Sequence, residues 1–209
     1  MTTAHHVATE LAELGAATLG ESGGIPMAPR LKATWLGARL AAPAYTVACA
    51  PGDNLAIHVA VAQAPPGSVL VVEASAIPDR GFWGEVLTTG AEARRLVGLV
   101  IDGGVRDVSA LEAHRFPVFS TLVALRGATK HGPGAVGGPV RVGDVPVASG
   151  DWIVADADGV TVVPGGQLDA VLAAGRARSV KEEGFFRELK AGKTTVDLLS
   201  LDASRIAGA

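Results

Sequence analysis

The chain has 209 residues, a net charge of −3 and an apolar share of 48%, with only 4% aromatic, which suits one domain cored with small aliphatic side chains. Its Lys and Arg residues are scattered, which disfavours nucleic-acid binding, and no apolar run approaches the roughly 20 residues of a membrane-spanning helix. No basic-then-apolar leader opens the sequence, and Cys49, the lone cysteine, can form no internal disulfide and is read as a small core residue; together these features point to the cytoplasm.

Residues 5–19 place Val7, Leu11, Leu14 and Leu19 near one helical face. A Gly/Pro-rich stretch covers 20–29. Residues 39–50 read as a strand closed by the turn Pro51-Gly52-Asp53, and 54–64 as a helix capped by Asp53 or Asn54 and broken at Pro65-Pro66-Gly67. A strand at 68–73, a helix at 83–95, a strand at 98–101, a short helix at 109–114 and a strand opening at 117–119 follow. From Gly132 the texture changes. Short β-runs at 139–142, 145–147, 151–155 and 159–163 are separated by Gly, Pro and Asp turns. A helix from about 166 to 189, stopped near Gly192, ends the pattern. The expectation is one α/β domain spanning 1–209, with 166–209 as a C-terminal helical arm.

Three segments carry candidate chemistry. In GLVIDGGVRD, 98–107, an apolar strand is expected to end in a loop holding Asp102, Gly103, Gly104, Arg106 and Asp107. Functional groups often lie beyond the carboxyl ends of strands in α/β sheets. A carboxylate is a hard ligand for Mg²⁺ or Mn²⁺, and a guanidinium fork can hold a substrate carboxylate. The same residues would equally serve as an internal ion pair or a helix cap. In DRGFWGEVL, 79–87, Gly81 and Gly84 permit close backbone approach, and the free N–H groups of Val86 and Leu87 could bind an anion at a helix start. Glu85 there would also be an ordinary first-turn acid. RARSVKEEGFFREL, 176–189, reads as a solvated amphipathic helix with Phe185 and Phe186 packing on the body or on another subunit. The five histidines form no ligand-spaced pair, so no zinc site is expected. His58 is read as structural. Lys130 is read as a loop or interface residue, because nothing around it would desolvate a Schiff-base lysine. No GxSxG, CxxC, HExxH or GxxxxGK[ST] motif occurs, and no GxGxxG follows a strand, which disfavours a methyltransferase or other nucleotide-cofactor enzyme.

Glu85, twenty intervening residues and then Arg106-Asp107 resemble the acidic-x20-Arg-Asp signature of the 4-hydroxy-4-methyl-2-oxoglutarate aldolase family, whose fold is shared with regulator of ribonuclease activity A. PGDNLAIHVA at 51–60, GSVLVVEA at 67–74, FPVF at 116–119, GD at 150–151, ADADGVTVVP at 155–164 and the tail 181–199 resemble family blocks in family order, over roughly 30–200. The resemblance implies a β/β/α sandwich like a swivelling phosphohistidine domain, a homotrimer or homohexamer, and an active site between subunits. It implies that Asp107 coordinates Mg²⁺ or Mn²⁺ directly. Glu85, and Glu182 from a neighbouring subunit (or the adjacent Glu183), would act on the cation through water. Arg106 would bind the substrate carboxylate and stabilise an enolate, with the Val86 and Leu87 amides holding the pyruvyl carboxylate. The activity so implied is retro-aldol cleavage of a small 4-hydroxy-2-oxo acid to pyruvate and a second carbonyl product, with oxaloacetate decarboxylation through the same enolate. The rival is a non-catalytic regulator of ribonuclease activity acting by protein contact. The family often has Asp where this chain has Glu85, so the longer side chain is a departure.

Overall fold

The computed structural model describes residues 3–74 and 76–207. In chain order these form α1 (Thr3–Gly20), β1 (Ile25–Pro26), β2 (Lys32–Ala33), β3 (Leu40–Cys49), α2 (Leu55–Gln63), β4 (Val69–Glu73), β5 (Gly81–Trp83), α3 (Glu85–Ala93) and β6 (Gly98–Val105). Then come α4 (Val108–Ala113), β7 (Val118–Val123), β8 (Gly134–Val136), β9 (Val140–Val142), β10 (Val145–Val147), β11 (Trp152–Ala155), β12 (Val160–Val163), α5 (Leu168–Lys190) and α6 (Thr195–Leu199).

One curled sheet runs in the order β1-β12-β11-β3-β4-β6-β7-β2. Its hinge is β3, whose first half pairs antiparallel with β11 (Trp152↔Pro43 to Ala155↔Leu40) and whose second half pairs parallel with β4 (Ala44↔Val69 to Ala48↔Glu73). The centre, β3-β4-β6-β7, is parallel, and its inner strands β4 and β6 are buried on both faces, as parallel sheets generally are. Alternation divides its side chains between two cores. Leu70, Val72, Leu99 and Ile101 pack with Ile57, Leu87 and Leu111 of the helices. Val69, Val71 and Val100 pack with Val140, Val142 and Ile153 of the β-rich rear. A third core, Leu11, Leu19, Trp152, Val154, Val171 and Leu172, seats α1 and α5 on the outside of β11 and β12. The result is a helix layer, the parallel sheet, and the rear β-layer with its hairpin β9-β10, as the β/β/α expectation requires.

Several boundaries differ from the sequence reading. Strand β6 does not stop at Ile101 but continues to Val105. Asp102 and the two glycines that look like a turn are buried strand residues. Asp102 accepts hydrogen bonds from Arg30 (Nη2, 2.8 Å) and from the Gly143 N–H (3.1 Å), tying the sheet to the β9-β10 hairpin. A Cβ on Gly104 would sit 2.5 Å from the Arg80 carbonyl oxygen, so glycine there serves close strand packing. Trp83 belongs to β5 rather than to the following helix. The two-residue strands β1 and β2 and the strand β8 escape the pattern, being too short for any periodicity to register. α1 is broken at Gly15, whose φ of 79° lies outside the helical range, and α6 adds a turn closed by a Thr194–Asp197 capping box.

Candidate active site

Strands β5 and β6 are parallel neighbours, with Gly81 opposite Gly104 and Trp83 opposite Val105. Their βα turns therefore emerge at the same end of the sheet, where α/β proteins commonly place ligands. From β5 the chain passes through Gly84 into α3. From β6 it passes through Arg106 and Asp107 into α4. The Arg106 N–H donates to the Trp83 carbonyl oxygen (2.9 Å), which locks the two turns together.

Asp107 adopts a left-handed conformation, φ 57° and ψ 37°, that few residues other than Gly, Asn and Asp tolerate. Although it precedes α4, its side chain does not cap that helix. The carboxylate turns the other way, and its Oδ2 accepts the Glu85 N–H at 3.1 Å. Gly84 makes room for it, since a Cβ there would collide with Oδ2. The Arg106 Nε lies 3.7 Å from the same oxygen, with both side chains little less than half exposed. That is a loose contact, and the guanidinium donates no hydrogen bond among the described residues, which leaves its fork available to another partner.

Arg106, Asp107, Val86 and Leu87 line one cavity of about 270 Å³. The N–H groups of Val86 and Leu87, in the first turn of the nine-residue α3, donate to no acceptor among the described residues. A loose cation, a carboxylate and free amides at a helix N-terminus thus meet in one recess. Such an arrangement can hold a carboxylate substrate and stabilise negative charge that develops beside it. Glu85 sits in the same turn, but its side chain does not line the cavity. Its Oε1 lies 3.7 Å from Nε2 of His114, whose Nδ1 is 2.8 Å from Glu92. Those two carboxylates, Glu92 foremost, raise the His114 pKa. Glu182 pairs with Arg178 one turn earlier on α5 (2.8 Å) and is not part of the cavity of its own chain; nor is Glu183.

Sequence reasoning does not single out the remaining wall as functional. Asn54 lines the cavity as the N-cap of α2, His58 from the first turn of that helix, and Lys130 from the loop after β7. Their signal is a histidine within the largely apolar helix LAIHVAVAQ, four residues beyond the N-cap residue Asn54. Asp53 fixes the loop to this helix. Its carboxylate accepts the Thr129 hydroxyl (2.7 Å), the His131 N–H (2.6 Å) and the Leu55 N–H (2.9 Å). Burial alone would raise the Asp53 pKa, but these bonds outweigh burial and hold it well below the usual carboxylate range. Cys49, half-buried beneath, has its thiol pushed up to about 12 by burial first and by Asp53 and Glu73 next, which suits a packing role and not a nucleophile.

A family model described as RraA-like, Aldolase/RraA, matches residues 12–162. A Halalkalibacterium halodurans protein provisionally named 4-hydroxy-4-methyl-2-oxoglutarate aldolase is 38% identical over 147 residues, 70% of each chain. A crystal structure of an uncharacterised protein from Pseudomonas syringae pv. tomato superposes with a TM-score of 0.82 at 28% identity, over 93% of this chain and 92% of that one. Streptomyces coelicolor RraAS2, described as an unusual member of the RNase ES inhibitor RraA protein family, superposes at 0.76 with 26% identity, over 88% of this chain and 98% of that one.

Proposed function

Since the chain belongs to the RraA-like Aldolase/RraA family, we propose that it cleaves a small 4-hydroxy-2-oxo acid by a retro-aldol reaction that depends on Mg²⁺ or Mn²⁺ and releases pyruvate. One observation carries this reading: Arg106, Asp107 and the free Val86 and Leu87 amides converge on a single cavity.

The residues suit a divalent cation of this type. Oδ1 of Asp107 accepts no hydrogen bond among the described residues, while Oδ2 is held by the Glu85 N–H. No group of three or more His, Cys, Asp or Glu gathers among the described residues. The chain would therefore supply one direct carboxylate, Asp107, with the remaining positions left to water and substrate. Mg²⁺ and Mn²⁺ are suited to such sparse oxygen sites, and zinc is not. Glu85, and Glu182 of a neighbouring copy, are the outer carboxylates that the family resemblance implies. When bound, the cation supplies Lewis-acid stabilisation of the negative charge that forms as the C3–C4 bond breaks.

The chain's own residues supply the rest. The Val86 and Leu87 amides receive the pyruvyl carboxylate at the positive end of α3. The Arg106 fork orients the substrate and strengthens its hold as the enolate oxygen gains charge, so its contribution is larger in the transition state than in the ground state. Phe82 and Trp83, both buried, close the floor and limit water. Oxaloacetate decarboxylation passes through the same enolate and is the expected side activity.

The test is pyruvate release from a panel of 4-hydroxy-2-oxo acids and oxaloacetate, with and without divalent metal. Metal-dependent release from at least one hydroxy-oxo acid is expected. Full activity after EDTA treatment would remove the metal from the mechanism. Silence across the panel in added Mg²⁺ and Mn²⁺ would overturn the aldolase reading. The next assay would then be ribonuclease inhibition, the property for which the family of the Streptomyces relative is named.

A further inference from the structure

The Glu85 side chain is placed by a contact that the chemistry described so far leaves unused. Glu85 opens α3, and Glu92 stands seven residues on, two turns along the same face of that helix. His114, at the C-terminal end of α4, faces both. Its Nδ1 lies 2.8 Å from Oε2 of Glu92, and its Nε2 lies 3.7 Å from Oε1 of Glu85. The two carboxylates, Glu92 foremost, favour the charged ring, which has one N–H for each of them. The backbone N–H of His114 is fixed by the Ala110 carbonyl oxygen (2.9 Å). Its side chain is 26% exposed, against 57% for that of Glu85. The better-anchored partner therefore sets the position of the looser one.

Where Glu85 would otherwise go follows from its backbone. The Glu85 N–H donates to Oδ2 of Asp107, so its side chain starts beside the carboxylate assigned to the cation. A free glutamate there would be drawn onto Mg²⁺ or Mn²⁺ as a second direct ligand. It would then fill a position that a chelating 2-oxo acid needs, and its charge would weaken the cation as a Lewis acid. Yet this side chain does not line the cavity and is turned to His114. We propose that His114, seated by Glu92, is a positioning residue that holds the Glu85 carboxylate back from the cation, so that Glu85 acts through water and Asp107 stays the one direct protein ligand. This inference rests on the metal-dependent reading above.

The experiment reads the cation as well as turnover. Mn²⁺ affinity, by electron paramagnetic resonance titration, and the number of exchangeable waters on bound Mn²⁺, by water-proton relaxation, are compared in the unmodified protein, His114→Leu and His114→Gln. His114→Leu frees Glu85. It should bind Mn²⁺ roughly 10- to 100-fold more tightly, the scale on which outer partners of metal ligands act, with fewer exchangeable waters and a lower kcat. His114→Gln keeps a side-chain N–H for Glu85 and should recover most of the difference. The same substitutions are then made with Glu85→Asp, whose carboxylate is one methylene shorter and falls short of the ring. In that background His114→Leu should change neither affinity nor hydration. Should His114→Leu fail to fold, Glu92→Gln unseats the ring instead and should shift both readouts in the same direction by a smaller amount. Unchanged Mn²⁺ affinity and hydration in the folded variant, or an equal change in the Glu85→Asp background, would overturn the role of His114. Absence of Mn²⁺ binding by the unmodified protein would instead bring down the metal-dependent reading itself.

Discussion

Gly84 and Arg106 test the site from opposite sides. Gly84 has extended backbone, so alanine would bring no conformational strain, but its Cβ would occupy the place of the Asp107 carboxylate oxygen. Gly84→Ala should therefore leave the thermal melt nearly unchanged and cut pyruvate release about 100-fold, the typical cost of a misplacement near 1 Å. Full activity in that variant would show that the position of Asp107 does not matter. Arg106→Lys keeps the charge and loses the fork. Loss of a preorganised donor raises the barrier by about 2.7–4 kcal/mol, or roughly 100- to 1000-fold in rate. The alternative, that Arg106 merely pairs with Asp107, involves an exposed 3.7 Å contact, and such pairs contribute little. Near-normal kcat and KM with a lowered melting temperature would favour that alternative.

Among the elements, the loop that carries Lys130 depends on Asp53. The folded-state pKa of Asp53 is depressed, so its carboxylate contributes stability above the ordinary unfolded value, near 3.9. That contribution is lost as pH falls through the folded value. Asp53→Asn should remove most of this acid sensitivity and speed amide hydrogen exchange at Thr129 and His131, whose neighbouring bonds it weakens. Exchange rates identical to those of the unmodified protein would show that the loop holds itself. The same scale explains what is legible in the sequence. Strong alternation and apolar runs locate β3, β4 and the cores, and caps and breakers locate α2. β6 reads short because Asp102-Gly103-Gly104 looks like a turn. The reasons that it is strand, Arg30 reaching Asp102 across 72 positions and Arg80 crowding Gly104, are tertiary. The Arg106-Asp107 pair can be named from its motif. The Asn54/His58 wall escapes notice because a half-buried histidine on an apolar helix resembles ordinary core until a cavity is seen beside it.

For the whole molecule, α5 buries Val171, Leu172 and Gly175 near its opening, and Arg176 and Arg178 tie the next turns to Glu10 and Glu21. Further along, Val180 and Phe186 are exposed, and Val86, Val123 and Leu125 are exposed on the body. Exposed apolar groups of this kind suit contact between copies. A trimer or a multiple of three is the expected state by light scattering, with activity falling when dilution dissociates it. A fully active monomer at micromolar concentration would rule out a site shared between subunits. No helix among the described residues is long and apolar enough to cross a membrane.

The cavity walls come from four stretches far apart in the chain: the start of α2, the β5–α3 turn, the β6–α4 turn and the loop after β7. None of the four can assume its place until the parallel sheet has closed, and parallel pairings are among the slowest contacts to form. Catalytic competence is therefore a late event in folding. During refolding from denaturant, helical circular dichroism should recover before pyruvate release does, and the enzyme's own turnover would serve as the clock for completion of the sheet.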